Sequence, residues 1–166
     1  MRTLDSLARL DRAALATMRS RLHSPAIERA AVAYTTVGEF GACWIAVALT
    51  GSTLDPGRRD RWLRMTALVP ATIAINYCVK RLVARRRPDL DGSLALGRTP
   101  SSHSFPSAHA ACSFAAAWSA PATRTPMLAA ATLMSLTRPY LGLHYPSDVL
   151  AGTVLGSAIG IGASSR

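Results

Sequence analysis

The chain has 166 residues, about one domain's worth, and 49% of them are apolar. Those residues gather into long runs apolar on nearly every face, which excludes a water-soluble domain built from amphipathic helices. The net charge of +10, from 19 Lys and Arg against nine acids, comes with few aromatics and no nucleic-acid-binding module, so DNA and RNA are set aside and anionic lipid or a phosphorylated substrate remains.

Residues 1–24 carry no apolar signal core and are read as mature sequence. Leu4, Leu7, Leu10, Leu15, Met18 and Leu22 recur at near-helical spacing, with Arg2, Arg9, Arg12 and Arg19 on other faces. This predicts a basic amphipathic helix lying at a membrane surface; the alternative is a helix packed on the protein's own core. Span one follows over about 30–50, with Glu39 alone between Gly38 and Gly41 as a partner for a site arginine or a packing contact. A charged turn with Pro56-Gly57 leads to span two, about 62–79, which Pro70 is expected to bend.

The longest polar stretch, 80–105, comes next. Span three runs over about 107–121, span four over 126–136 and span five over 149–163, where Gly152, Gly156 and Gly160 form a smooth packing face. The last three are shorter than a full crossing, so their polar loops are expected to sink below the headgroups. The fold expected is all-α: one integral membrane bundle over residues 1–166, with about five transmembrane helices and an interfacial N-terminal helix. Cys43, Cys78 and Cys112 are scattered through apolar runs and read as small core residues, neither a metal motif nor a disulfide framework.

Five alternating spans bring the end of span two, the start of span three and the span four–five loop to one side of the membrane. Three polar clusters sit there. Lys80 and Arg87 can grip a dianion, Lys as a point charge and Arg as a planar fork. Ser107 is a natural N-cap, so the helix it opens offers free N–H groups to an anion, with His109 in its first turn. His144 and Asp148 lie about one helical turn apart, so the carboxylate can hold one imidazole nitrogen protonated and leave the other nucleophilic. Arg138 is a charge at a depth where charges usually serve a site. Each cluster also has a bland reading, as an interfacial basic run or as helix caps.

Lys-x6-Arg-Pro at 80–88, Pro-Ser-x-His at 106–109 and Arg-x5-His-x3-Asp at 138–148, in that order, resemble the three motifs of the type 2 phosphatidic acid phosphatase (PAP2) superfamily. The resemblance spans about half the chain. It implies that Lys80, Arg87 and Arg138 bind phosphate, helped by Ser107 and the N–H of Ala108. His144 would attack phosphorus, Asp148 would orient it, and His109 would protonate the leaving oxygen; neither metal nor other cofactor is expected. Ala108 and Thr137 stand where the family usually has Gly and Ser, and neither change removes a charged group.

The implied partners are membrane lipids and a polyprenyl or other lipid phosphate, with a homo-oligomer left open. The small size and basic N-terminus are similar to members that dephosphorylate a phosphoribosylated decaprenyl lipid in arabinan cell-wall synthesis. The runners-up are an undecaprenyl-pyrophosphate or a phosphatidylglycerophosphate phosphatase, and, outside enzymes, a lipid-binding scaffold. Arg81, Arg85, Arg86 and Arg98 are assigned to headgroups or a second substrate charge, and His103 to a solvated loop. The site side carries more Lys and Arg even without the three phosphate ligands, which points to the cytoplasmic face of the plasma membrane.

Overall fold

Alanine fills the centre of the bundle. Helix α5, Ala108–Ser119, buries Ala110, Ala111, Ala115, Ala116 and Ala117 and is packed by neighbours on several sides. It sits in a computed structural model that describes residues 2–21, 24–89, 99, 101–121 and 124–164. Seven α-helices and no strand occur among the described residues: α1 Arg2–Arg21, α2 Pro25–Val37, α3 Ala42–Leu54, α4 Arg59–Val83, α5, α6 Arg124–Tyr140 and α7 Pro146–Ser164.

The closest helix pair is α5 against α7, and small residues on both sides explain it. A Cβ added to Gly152 would lie 2.4 Å from the Ser107 carbonyl oxygen, one on Gly156 2.1 Å from that of Ala111, and one on Gly160 2.6 Å from that of Ala115. Two rows with a four-residue repeat thus lie backbone to backbone, as close small-residue packing in membranes requires. On the other side of α5, Trp44, Trp62, Met65, Val69 and Met134 close the core. Large apolar side chains such as Leu82, Leu136, Leu150 and Val154 stay exposed on the outside, which suits a lipid-facing surface.

Span one is not one helix. It breaks at a short 3-10 turn over Glu39–Gly41, and α2 and α3 meet at 47°. Phe40 (φ 51°) and Gly41 (φ 70°) both adopt left-handed backbone there. Gly41 does so freely, whereas a non-glycine residue meets steric resistance of about 1–2 kcal/mol. Helix α4, by contrast, continues through Pro70 as one 25-residue element. By length and composition α4 with its preceding turn and α7 can each cross a membrane, and the bent α2–α3 pair makes a third crossing if it acts as one. Helix α7 has 19 residues and is longer than expected, while α5 has 12 and α6 has 17. Cys112 is buried, but Cys43 is half-buried and Cys78 exposed, so the cysteines are not uniformly core residues.

Helix α1 packs on α6 and α7. Asp11 and Leu15 are buried in that contact, while Leu7 and Leu10 remain exposed along the adjoining flank. One strip of the helix therefore docks on the protein, and the neighbouring apolar strip is left exposed.

Candidate active site

The basic stretch after α4 is folded back onto the segment before α5. Ala84 caps α4 in left-handed backbone (φ 49°) and turns the chain. Ser104 N–H then donates to the Arg85 carbonyl at 2.8 Å, and the Ser104 hydroxyl donates to the Arg86 carbonyl at 3.0 Å. Lys80 is 5% exposed and donates to the carbonyls of His103 and Ser104 at 3.1 and 3.2 Å. His103 thus contributes its backbone rather than its ring. Arg87 Nε donates to the Ser101 carbonyl at 2.8 Å and its Nη1 to the Leu143 carbonyl at 2.6 Å. Burial brings the Arg87 guanidinium down to about 10, with Asp148 opposing, so it stays charged at neutral pH.

The same Nη1 stands 3.1 Å from His144 Nε2. A guanidinium has no acceptor, so this contact makes Nε2 the lone-pair nitrogen and places the ring proton on Nδ1. Nδ1 faces Asp148 Oδ2 at 3.7 Å, too long for a hydrogen bond, and has no hydrogen-bond partner among the described residues. Asp148 is itself held: Oδ2 accepts from the Tyr145 N–H at 2.9 Å and Oδ1 from Arg85 Nη1 at 2.7 Å. Burial pushes the His144 imidazole down to about 3, with Asp148 opposing and Arg87, Arg138 and Lys80 assisting. The resting ring is neutral, as a nitrogen nucleophile must be.

His109 lies across from it, with Nε2 at 3.2 Å from the Thr35 carbonyl oxygen. A carbonyl only accepts, so that nitrogen carries a proton and Nδ1 is left for other use. Thr35 also takes Arg138 on its hydroxyl, through a short Nη1–Oγ1 contact. Arg138 is 2% exposed and its Nε has no partner among the described residues. A buried guanidinium N–H is a strong donor to an anionic oxygen.

Lys80, Arg87, Ala108, His109, Arg138 and His144 line one cavity of about 190 Å³. Glu39, Phe40, Asn76 and Tyr77 share its wall. Of the residues singled out from sequence, Asp148 stands behind His144. Ser107 stands behind Ala108, its hydroxyl accepting from the Ala110 N–H at 3.4 Å and its own N–H donating to the Asp148 carbonyl at 2.9 Å. Arg85, expected to meet headgroups or a second substrate charge, is instead clamped between two carboxylates, Asp148 and Asp11, each at 2.7 Å. Those carboxylates outweigh the opposing effect of burial and hold Arg85 above its ordinary range. Arg81 turns to Tyr77, Arg86 pairs through its backbone with His103, and Arg98 lies outside the described residues. Thr35 and Asp11 were missed, because neither stands in a motif and each sits in an unremarkable helical context.

Residues 61–165 match the PAP2 superfamily. Decaprenylphosphoryl-5-phosphoribose phosphatase of Mycobacterium tuberculosis is 42% identical over 125 residues, 74% of this chain and 71% of that protein. The enzyme of the same name from Mycolicibacterium smegmatis is 39% identical over 131 residues, 77% of this chain and 72% of that one. The crystal structure of a transmembrane PAP2-type phosphatidylglycerolphosphate phosphatase from Bacillus subtilis superposes with a TM-score of 0.76 at 22% identity, covering 96% of this chain and 85% of that one.

Proposed function

Since the chain belongs to the PAP2 superfamily and is a membrane phosphatase, we propose that it removes the 5-phosphate of decaprenylphosphoryl-5-phosphoribose through a phosphohistidine on His144. The observation that carries the chemistry is the cavity itself: three cations and two histidines converge on it, and one histidine has its lone-pair nitrogen fixed toward an arginine. The substrate rests on the relatives, both acting on that lipid by name at 39–42% identity.

In this reading the phosphate enters between Lys80, Arg87 and Arg138 and draws Arg87 off His144 Nε2. The Arg138 Nε and the Ala108 N–H at the start of α5 take phosphate oxygens. His144 Nε2 attacks phosphorus, forming the P–N bond as the bond to the sugar oxygen breaks. The proton that the phosphate monoanion brings in passes to His109 Nδ1, which hands it to that oxygen, and Asp148 steadies the charge that builds on the His144 imidazole. Water then attacks the phosphohistidine, giving its proton back to His109 and releasing inorganic phosphate. Clustered cations supply the charge stabilisation.

The excess of Lys and Arg on the cavity side favours a site at the cytoplasmic face of the plasma membrane. The test is phosphate release by purified wild type and His144→Ala across a panel: decaprenylphosphoryl-5-phosphoribose, undecaprenyl pyrophosphate and phosphatidylglycerophosphate. The phosphoribosyl lipid is expected to be cleaved fastest, and His144→Ala to lose on the order of 10⁴-fold or more in kcat. Equal release by the variant removes the phosphohistidine mechanism. Faster cleavage of either other lipid removes the proposed substrate.

A further inference from the structure

The clamp behind Asp148 reaches out of the three motifs into the N-terminal helix. Asp11 is 4% exposed, although α1 is a surface helix with Leu10, its neighbour, 66% exposed. Both of its oxygens are in use. Oδ1 accepts from the Ser147 N–H at 3.0 Å, in the first turn of α7. Oδ2 accepts from Arg85 Nη2 at 2.7 Å and from the Ser147 hydroxyl at 2.5 Å. Arg85 carries the contact onward, its Nη1 donating to Ser147 Oγ and Asp148 Oδ1, both at 2.7 Å. Its guanidinium lies 4.2 Å from the centre of the Tyr145 ring, which fixes its plane. Asp148 Oδ2 is thereby the oxygen left toward His144.

We propose that Asp11 is a positioning residue of the active site, acting through Arg85 to keep the Asp148 carboxylate turned toward His144. This rests on the reading of His144 as nucleophile. The physical reason is charge balance in a dry setting. An arginine paired with Asp148 alone would neutralise it and weaken the help it gives a developing imidazolium. A second carboxylate on the same guanidinium leaves the group of three with a net negative charge and spreads the pull of Arg85 over two partners. Asp11 does not line the cavity, so its effect falls on the chemical step rather than on substrate binding.

Kinetics of wild type, Asp11→Asn, Asp11→Glu, Arg85→Lys and His144→Ala decide it, using whichever lipid of the panel is cleaved fastest. Asp11→Asn is expected to lower kcat by roughly 10-fold with KM within about two-fold, the size usual for a group one shell behind the reacting residues. Asp11→Glu should retain more kcat than Asp11→Asn, because the effect requires charge; a role limited to shape and helix docking would rank the isosteric amide higher. Arg85→Lys, which cannot span both carboxylates with one planar fork, should also lose kcat, and it decides the matter if Asp11→Asn fails to fold. An inactive His144→Ala together with an unchanged kcat in Asp11→Asn or Arg85→Lys would overturn the positioning role and leave the nucleophile standing. So would a kcat for Asp11→Glu at or below that of Asp11→Asn. A fully active His144→Ala would overturn both.

Discussion

His144 is poised by what surrounds it rather than by a close hydrogen bond. Buried and ringed by cations, it refuses a proton down to about pH 3. An unfolded histidine accepts one near pH 6.5. Between those values the unfolded chain binds a proton that the folded protein excludes. Stability therefore holds above pH 6.5 and falls as pH drops toward 3, by an amount on the order of a few kcal/mol. Melting temperature in detergent from pH 7.5 to 4 should fall more steeply for wild type than for His144→Gln; parallel curves would contradict the neutral, buried imidazole.

Thr35 makes a second prediction at this scale. It is 5% exposed and anchors His109 by its carbonyl and Arg138 by its hydroxyl. Thr35→Val keeps the shape and the carbonyl but drops the hydroxyl. Losing a hydrogen bond to a charged group is worth about 1.5–3 kcal/mol, so inhibition by inorganic phosphate should weaken by roughly 10-fold or more. An unchanged inhibition constant would mean Arg138 needs no such anchor. The contrast between Thr35 and Lys80 shows what sequence can and cannot reveal. A lysine or histidine inside an apolar run is conspicuous because burying it is costly. A threonine in a helix, or an aspartate on an amphipathic one, costs nothing until folding brings a distant partner to it. Arg85 was misread for the same reason: in a run of four cations over residues 81–87 nothing local distinguishes the clamped one from the solvated ones.

Among the elements, α5 and α7 carry Ala108, His109 and Asp148, and their separation is set by backbone contact. The glycine repeat on α7 was legible from its spacing; its counterpart at Ser107, Ala111 and Ala115 was not, because alanine and serine are common everywhere. Gly156→Ala puts a methyl 2.1 Å from a carbonyl oxygen, which neither side can yield. It should cost about 1–3 kcal/mol or more and reduce activity, since the same contact seats Ser107 on the Asp148 carbonyl. Gly162 has nothing within 4 Å of its added Cβ, and Gly162→Ala should be neutral or stabilise by up to about 1 kcal/mol. Thermal unfolding of the two variants side by side gives the comparison; similar melting points would sink the close-packing account. The break in span one had a visible trace in Gly38 and Gly41 around Glu39. Its consequence, left-handed backbone at Phe40, was hidden because phenylalanine is among the last residues expected there.

For the whole molecule, residues of the three clusters that span parity was expected to bring together do line one cavity, although the first apolar segment is bent. Parity does not say which side of the membrane that is. A Ser101→Cys variant in a Cys78→Ser background puts a thiol on the cavity wall and removes the exposed native one. A membrane-impermeant maleimide should label it in inside-out vesicles and not in intact cells. Labelling in intact cells would place the cavity on the outer face and remove the cytoplasmic assignment.

Phe40 is 66% exposed, yet it also belongs to the cavity wall. At this point one aromatic residue borders both the phosphate-gripping interior and the flank of the bundle. An ordinary straight helix would have set a full cylinder of backbone there. By snapping the helix at residues 39–41, the fold sets a side chain in that stretch of wall, within reach of the phosphate site on one side and of the bundle's surroundings on the other.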